Sequence, residues 1–305
     1  MNSSGPDQGQ YLSVSERWFN AFFTTLPSVM CLLVNTLLLW TLRSKAIFRE
    51  TPRYFLLFNL LLADTMHLFI SQMLYLIAST HTNLHYPVCA LITLSAEVFS
   101  EVSPLTVMLM SVERYIAVCQ PLRHAALVGG RRIVAAMLSL WGLCIMNLIV
   151  RVGLLVQFPF HKLDSLKMSE YCSGVFIRIT PLFVAYDEGY IPLLFACCAV
   201  VILWSYVMVV MVARKCASEN SVKARNTLLL HLLQLIFSLS ASIYLPLVVT
   251  VARTMALSRT TYVRVQSALY VFIMILPRSL SVLIYGIRDQ TIRSTMQQTL
   301  QCKTG

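Results

Sequence analysis

Seven blocks of apolar residues run through this chain, at about 19–42, 54–79, 89–113, 133–157, 188–213, 228–252 and 263–286. Each is near or above the ~20 residues that a helix needs to cross the hydrocarbon core of a bilayer. A lone strand in lipid would leave its backbone polar groups unpaired, and barrel strands are shorter and alternate in polarity. The blocks therefore predict an all-α integral membrane protein, a bundle of seven transmembrane helices. Composition excludes a soluble alternative. Of 305 residues, 57% are hydrophobic and 12% charged, against a usual ~25% charged, and so few charges cannot clothe a soluble surface.

Lysine and arginine placement sets the expected orientation. With the N-terminus outside, the inner segments hold fifteen basic residues: Arg43, Lys45, Arg49 and Arg53, then Arg114, Arg123, Arg131 and Arg132, then Arg214, Lys215, Lys223 and Arg225, then Arg288, Arg293 and Lys303. The outer segments hold seven. Residues 1–18 are then an extracellular tail, 19–286 the seven-helix domain, and 287–305 a short cytoplasmic amphipathic helix and tail. The tail lacks the apolar core and cleavage pattern of a removable signal peptide, so the first block is expected to serve as a signal anchor. Asn2-Ser3-Ser4 is a glycosylation sequon, of use only outside the cell. The net charge of +11 is an inner collar meeting anionic lipid, not a nucleic-acid surface, because no basic cluster sits on a soluble domain.

Nine cysteines are present. Only Cys89 and Cys172 fall on the oxidising side, which makes them the disulfide candidates. Cys31, Cys144, Cys197 and Cys198 read as core residues. Cys119 and Cys216 face the reducing interior, and Cys302 is a free thiol or a palmitoylation site.

An ionisable residue at mid-bilayer costs ~2.5–3.5 kcal/mol on insertion scales, so Asp64, Glu97, Glu101, Arg151 and Arg278 each need a partner or a role. Glu97 and Glu101 are one helical turn apart and share a face of the third block. Measured from Cys89 they lie roughly 12 and 18 Å below the outer edge, the depth of a pocket between helices. Arg151 is placed to neutralise one of them. Two readings stand side by side: a structural salt bridge, or a ligand site in which a carboxylate meets a cationic ligand or accepts a hydrogen bond. His67, Tyr75, Tyr190 and Tyr244 are candidates to line the same cavity, with interhelical hydrogen bonding and packing the preferred role for each.

The stretch "LMSVERYIAVCQPLRH", residues 109–124, puts an adjacent charged pair at the inner end of the third block. Cys89 and Arg114 are 25 residues apart, roughly 37 Å of helix, so Glu113 and Arg114 sit at the inner interface. Pro121 ends the helix.

Glu113-Arg114-Tyr115 followed by "IAVCQPLRH" resembles the Asp/Glu-Arg-Tyr motif and second inner loop of rhodopsin-like (class A) G-protein-coupled receptors. The resemblance covers nearly the whole chain. Asn35 is similar to the family's helix-one asparagine, "NLLLAD" with Asn59 and Asp64 to its helix-two motif, and Trp141 to its helix-four tryptophan. Tyr206, Pro246 and Tyr285 resemble its helix-five switch tyrosine, helix-six kink proline and the tyrosine ending helix seven. Cys89 and Cys172 match its bond from helix three to the second outer loop. Tyr244 lies where the family carries an aromatic switch. Within the family, "ERYIAVCQPLRH", the short loop 214–225, Ser205-Tyr206 and the ending "IYGIRD" most resemble odorant receptors of the fish-type branch. "SVLIY", residues 281–285, departs from the family's Asn-Pro-x-x-Tyr, and Ala96 stands where amine-binding relatives keep an anchor aspartate.

The resemblance implies a receptor that has no enzymatic activity and needs no cofactor or metal. It implies a small organic odorant bound in the outer half of the bundle, where Glu97, Glu101, Arg151 and Tyr244 are the candidate ligand-binding residues. It implies coupling to a heterotrimeric G protein of the stimulatory, olfactory type through Glu113, Arg114, Tyr115, Tyr206 and Tyr285, from a multi-pass position in the plasma membrane. Asn35, Asp64, Ser103 and Arg278 form the expected core polar network. The family's sodium-site aspartate resembles Asp64, and the long side chain of Arg278 is expected either to replace that sodium or to reach down to the cytoplasmic surface. A non-olfactory class A receptor for an amine or lipid mediator shares almost every motif and stands as the alternative. A seven-helix transporter ranks behind both, because internal repeats and paired broken helices are missing. A retinal protein needs a lysine in the seventh block, which has none.

Overall fold

The computed structural model describes residues 14–80, 84–157, 180–216, 259–280 and 291–295, with Cys172, Ile177 and scattered positions between 226 and 251. The long helices are α1 (Val14–Ser44), α3 (Pro52–Ser79), α4 (Tyr86–Cys119), α6 (Gly130–Val156) and α7 (Pro181–Cys216). Short α2 (Ala46–Glu50) and α5 (His124–Leu127) lie in connections, α5 preceded by a single 3-10 turn at Pro121–Arg123. The last long helix begins as α8 (Arg259–Leu269), widens into a π-helix at Tyr270–Ile275, and is α-helical again to residue 280. Among the described residues six helices are long and apolar enough to cross a membrane. The sixth block, 228–252, falls mostly outside the described residues, but those described within it are helical.

Local chemistry explains the helices. In hydrocarbon every backbone N–H and C=O must be satisfied within its own segment. Hydroxyls are hidden the same way: Thr36, Thr65 and Thr106 donate to the carbonyls of Leu32, Leu61 and Val102 at 2.7, 2.6 and 2.7 Å. Pro52 stands in the first turn of α3, where its missing N–H costs nothing. Pro27, Pro104 and Pro192 lie inside helices, a position membrane helices tolerate because neighbours satisfy the freed backbone groups.

The third block is the axis of the bundle. Residues 101–107 of α4 are buried without a break, which only a helix surrounded by others achieves. Leu56 and Leu60 of α3, Val102 and Val107 of α4, and Cys198 and Ile202 of α7 form its dry centre, all fully buried. Large apolar side chains such as Phe22, Leu33, Leu138, Ile149 and Leu193 point outward. Against lipid tails that exposure carries no penalty, so close packing and buried polar contacts must hold the helices together. Asn35 donates to Thr65 Oγ1 at 3.1 Å, tying α1 to α3. Asn59 donates to Thr106 Oγ1 at 2.9 Å and accepts from Trp141 Nε1 at 3.0 Å, tying α3 to α4 and α6.

Several helix limits differ from the blocks; α1 begins at Val14 rather than 19, and two other differences bear on the site. α4 runs on past Glu113-Arg114 to Cys119, because the two charges pair with each other at 3.2 Å and do not stop a helix. α7 begins at Pro181 rather than 188, which takes Asp187 into the helix.

Candidate ligand-binding site

Among the described residues Arg151 is the largest fully buried side chain, 2% exposed. It projects from α6 into a ring of carboxylates supplied by two other helices. Its Nη1 stands 2.8 Å from Glu97 Oε2 and 2.8 Å from Glu101 Oε1 on α4. Its Nε donates to Asp187 Oδ1 on α7 at 3.0 Å. The one-turn spacing of Glu97 and Glu101 lets one guanidinium edge meet both.

A second layer holds the ring. Asn147, one turn before Arg151, donates to Glu101 Oε1 at 2.6 Å and accepts from Tyr186 at 2.6 Å. Tyr190 donates to Glu101 Oε2 at 3.3 Å. Its ring stacks on Tyr186, centroids 5.7 Å apart, and lies 5.8 Å from the Arg151 guanidinium carbon. Glu101 and Asp187 are buried, whereas the Glu97 side chain keeps 19% of its surface accessible. Three carboxylates around one guanidinium favour a partner that brings positive charge or hydrogen-bond donors, and Glu97 is the one positioned at the open edge.

Asp187 was not among the sequence candidates. With the fifth block starting at 188 it counted as loop, and its signal was the apolar run "IPLLF" just after it. Tyr190 joins the Arg151 network, but Tyr75 and Tyr244 do not. They pack instead on Tyr270, with ring centroids at 5.2 and 5.9 Å. Tyr75 shares a hydrogen bond with Ser267 Oγ at 2.9 Å, and His67 pairs with Ser71 at 3.4 Å. Of these four residues, Tyr190 thus lies with Arg151, and Tyr75 and Tyr244 lie with Tyr270.

The remaining candidates sit at other levels. Arg278 Nε lies 3.6 Å from Asp64 Oδ1, both side chains buried, and Ser103 is within hydrogen-bonding reach of the same carboxylate. At the far end of α4, Glu113 faces Arg114 Nε at 3.2 Å and His124 Nε2 at 3.7 Å. Tyr115 rests on Trp204, centroids 4.7 Å apart, and packs with Tyr206 around buried Val209. Cys89 and Cys172 form a disulfide with Cα atoms 5.6 Å apart, packed beside Tyr86, Ile177 and Phe183. Asn2, Pro246 and Tyr285 lie outside the described residues. Residues 291–295 are helical, with Ile292 and Thr295 buried and Arg293 exposed. No cluster of metal-ligating side chains occurs among the described residues.

Comparison with known proteins agrees with this architecture. Residues 19–283 match the family of 7 transmembrane receptors (rhodopsin family). Odorant receptor 131-2 of Danio rerio is 25% identical over 276 residues, covering 89% of this chain and 82% of that protein. Olfactory receptors 4K2 and 4N4C of Homo sapiens are each 25% identical, over 82% and 87% of this chain and 78% and 83% of their own lengths.

Proposed function

We propose that this chain, which belongs to the rhodopsin family of seven-transmembrane receptors and is a multi-pass protein of the plasma membrane, is an odorant receptor. Relatives along most of its length bear that name. The Cys89 end of the bundle faces outside, where a disulfide persists. The ligand is a small organic molecule that enters at that end and meets Glu97.

The observation that carries this reading is the Arg151 ring. Its carboxylates outnumber its guanidinium, and Glu97 is the one left accessible. A small amine fits that edge better than an acid. Because Ala96 holds the usual anchor position of amine receptors, the amine is met one residue further along α4.

Ligand binding favours a conformer whose opposite end opens around Arg114 for a stimulatory G protein. That is a shift between populations, so the ligand must bind the open conformer more tightly. The chain itself is not an enzyme; the work is done by differential affinity.

The test is a cAMP reporter in cells expressing the chain, screened with water-soluble amines, acids and alcohols. Amines are expected to activate, and Glu97→Gln to weaken them tenfold or more, about 1.4 kcal/mol, at equal surface expression. Activation by acids alone, or amine potency indifferent to Glu97→Gln, sinks this reading.

A further inference from the structure

The tyrosine cluster on the other side of the bundle contains a buried polar group that its own structure leaves unsatisfied. Tyr270 is 4% exposed. Its hydroxyl is fully buried and makes no hydrogen bond. Of its polar neighbours, Arg278 is engaged by Asp64 and by the Met274 carbonyl. Tyr75 stacks on Tyr270 nearly parallel, interplanar angle 16°, and directs its hydroxyl to Ser267. Tyr244 meets it edge-on. Cys31, Leu68, Val271, Met274 and Ile275 close the cluster with apolar surface.

Buried polar atoms nearly always have partners, and an exception calls for an explanation. A phenylalanine would fill the same space without leaving a buried hydroxyl unmet. A second feature falls at the same residue: the π-helix of the last long helix begins at Tyr270. Single π turns are rare inside α-helices and are frequent at functional sites. Eleven residues separate Arg259 from Tyr270, about 16 Å of helix, so the hydroxyl lies well inside the bundle rather than at its rim.

We infer that the Tyr270 hydroxyl is a ligand-recognition group that donates a hydrogen bond to an acceptor atom, a neutral ether or carbonyl oxygen, on the bound odorant. The inference builds on the odorant-receptor reading but concerns different helices from the Arg151 ring. It narrows the ligand to a molecule with an oxygen acceptor. A hydroxyl already buried and desolvated loses nothing when the acceptor arrives, so the discrimination against a methylene in the same place is large. Tyr244, from the sixth block, and Tyr75, from α3, are both half-buried and pack against the Tyr270 ring.

The test has two parts. Melting of purified receptor compares wild type with Tyr270→Phe and Tyr75→Phe. Tyr75→Phe strands the hydroxyl of Ser267 and lowers Tm, whereas Tyr270→Phe melts at or above wild type. A fall in Tm for Tyr270→Phe equal to that of Tyr75→Phe overturns the inference, because the hydroxyl then has a structural partner. The second part uses the cAMP reporter with linear alkylamines and matching ether-amines, one methylene replaced by oxygen, beside methyl ketones and matching terminal alkenes. The oxygen-bearing member of a pair is expected to be roughly tenfold more potent on wild type, and that ratio to fall to about one on Tyr270→Phe. An equal ratio on both receptors overturns the inference. If only the ketones respond and their advantage depends on Tyr270, the amine reading of Glu97 fails while this one stands. Silence of every compound on wild type at the cell surface overturns both.

Discussion

Arg278 Nε stands 3.6 Å from Asp64 Oδ1, so that two charges on helices 214 residues apart in sequence meet in the dry middle of the bundle. Arg278 also donates to the carbonyl of Met274, one turn back, at 3.3 Å. The guanidinium brings to Asp64 the positive charge that a bound cation would otherwise supply. Removing one partner of a buried pair strands the other and costs about 3–5 kcal/mol. Asp64→Ala and Arg278→Ala are each expected to lose most surface expression. Asp64→Arg combined with Arg278→Asp is expected to recover part of it. Agonist affinity should be insensitive to replacing sodium with a bulky inert cation. Strong sodium dependence together with no recovery in the double variant excludes the pairing.

Arg151→Leu leaves Glu97, Glu101 and Asp187 crowded in a low-dielectric interior without their counter-charge. Its loss should remove the receptor from the surface, as measured by flow cytometry of a tagged chain. Adding Glu101→Gln and Asp187→Asn to it should restore expression, because replacing a whole buried ionic group by neutral residues is often tolerated. If the single variant reaches the surface at wild-type levels, the ring is not structural.

Glu101→Gln and Glu97→Gln should separate. Glu101 is buried and already accepts from Asn147 and Tyr190, so its change is expected to lower Tm. Glu97 is expected to act on potency with little effect on Tm. Equal melting losses for both would assign Glu97 to the scaffold.

Cys89→Ser with Cys172→Ser should cost stability of about 2–5 kcal/mol, the usual range for a native disulfide lost. Mass spectrometry of unreduced surface protein should recover the linked peptides, and two free thiols there would refute the bond.

Arg114→Ala is expected to abolish ligand-driven cAMP production while the receptor still folds and reaches the surface. The arginine is largely shielded at its interface and engaged by Glu113, a place where leucine would pack as well. Robust signalling by the variant would assign Arg114 to stability alone.

The architecture was legible because apolar length is a blunt physical requirement that sequence cannot disguise. Six of the seven blocks are spans among the described residues. The Asp64–Arg278 meeting was also open to a sequence argument, since helical rise fixes depth and arginine is long. Asp187 was hidden by a boundary error of seven residues, itself caused by the polar "YDEGY" stretch that masks the start of α7. The split of the tyrosines into two clusters could not be read, because it depends on which way each helix is rotated. The π turn left no mark in "YVFIMI", whose residues would serve an ordinary α-helix equally well.

The Arg151 ring carries a consequence for how the protein is made. Of the three helices that form it, α4 leaves the ribosome first, with Glu97 and Glu101 and without Arg151 to meet them. Their partner follows on α6, and α7 then adds Asp187, which reaches the same guanidinium. Each helix of this trio carries charge that is costly alone in lipid and is matched only once its neighbours arrive. Assembly order is thereby written into the charges. A chain interrupted between α4 and α6 presents two unmatched carboxylates inside the membrane, a signature by which cellular quality control can distinguish an unfinished receptor from a finished one.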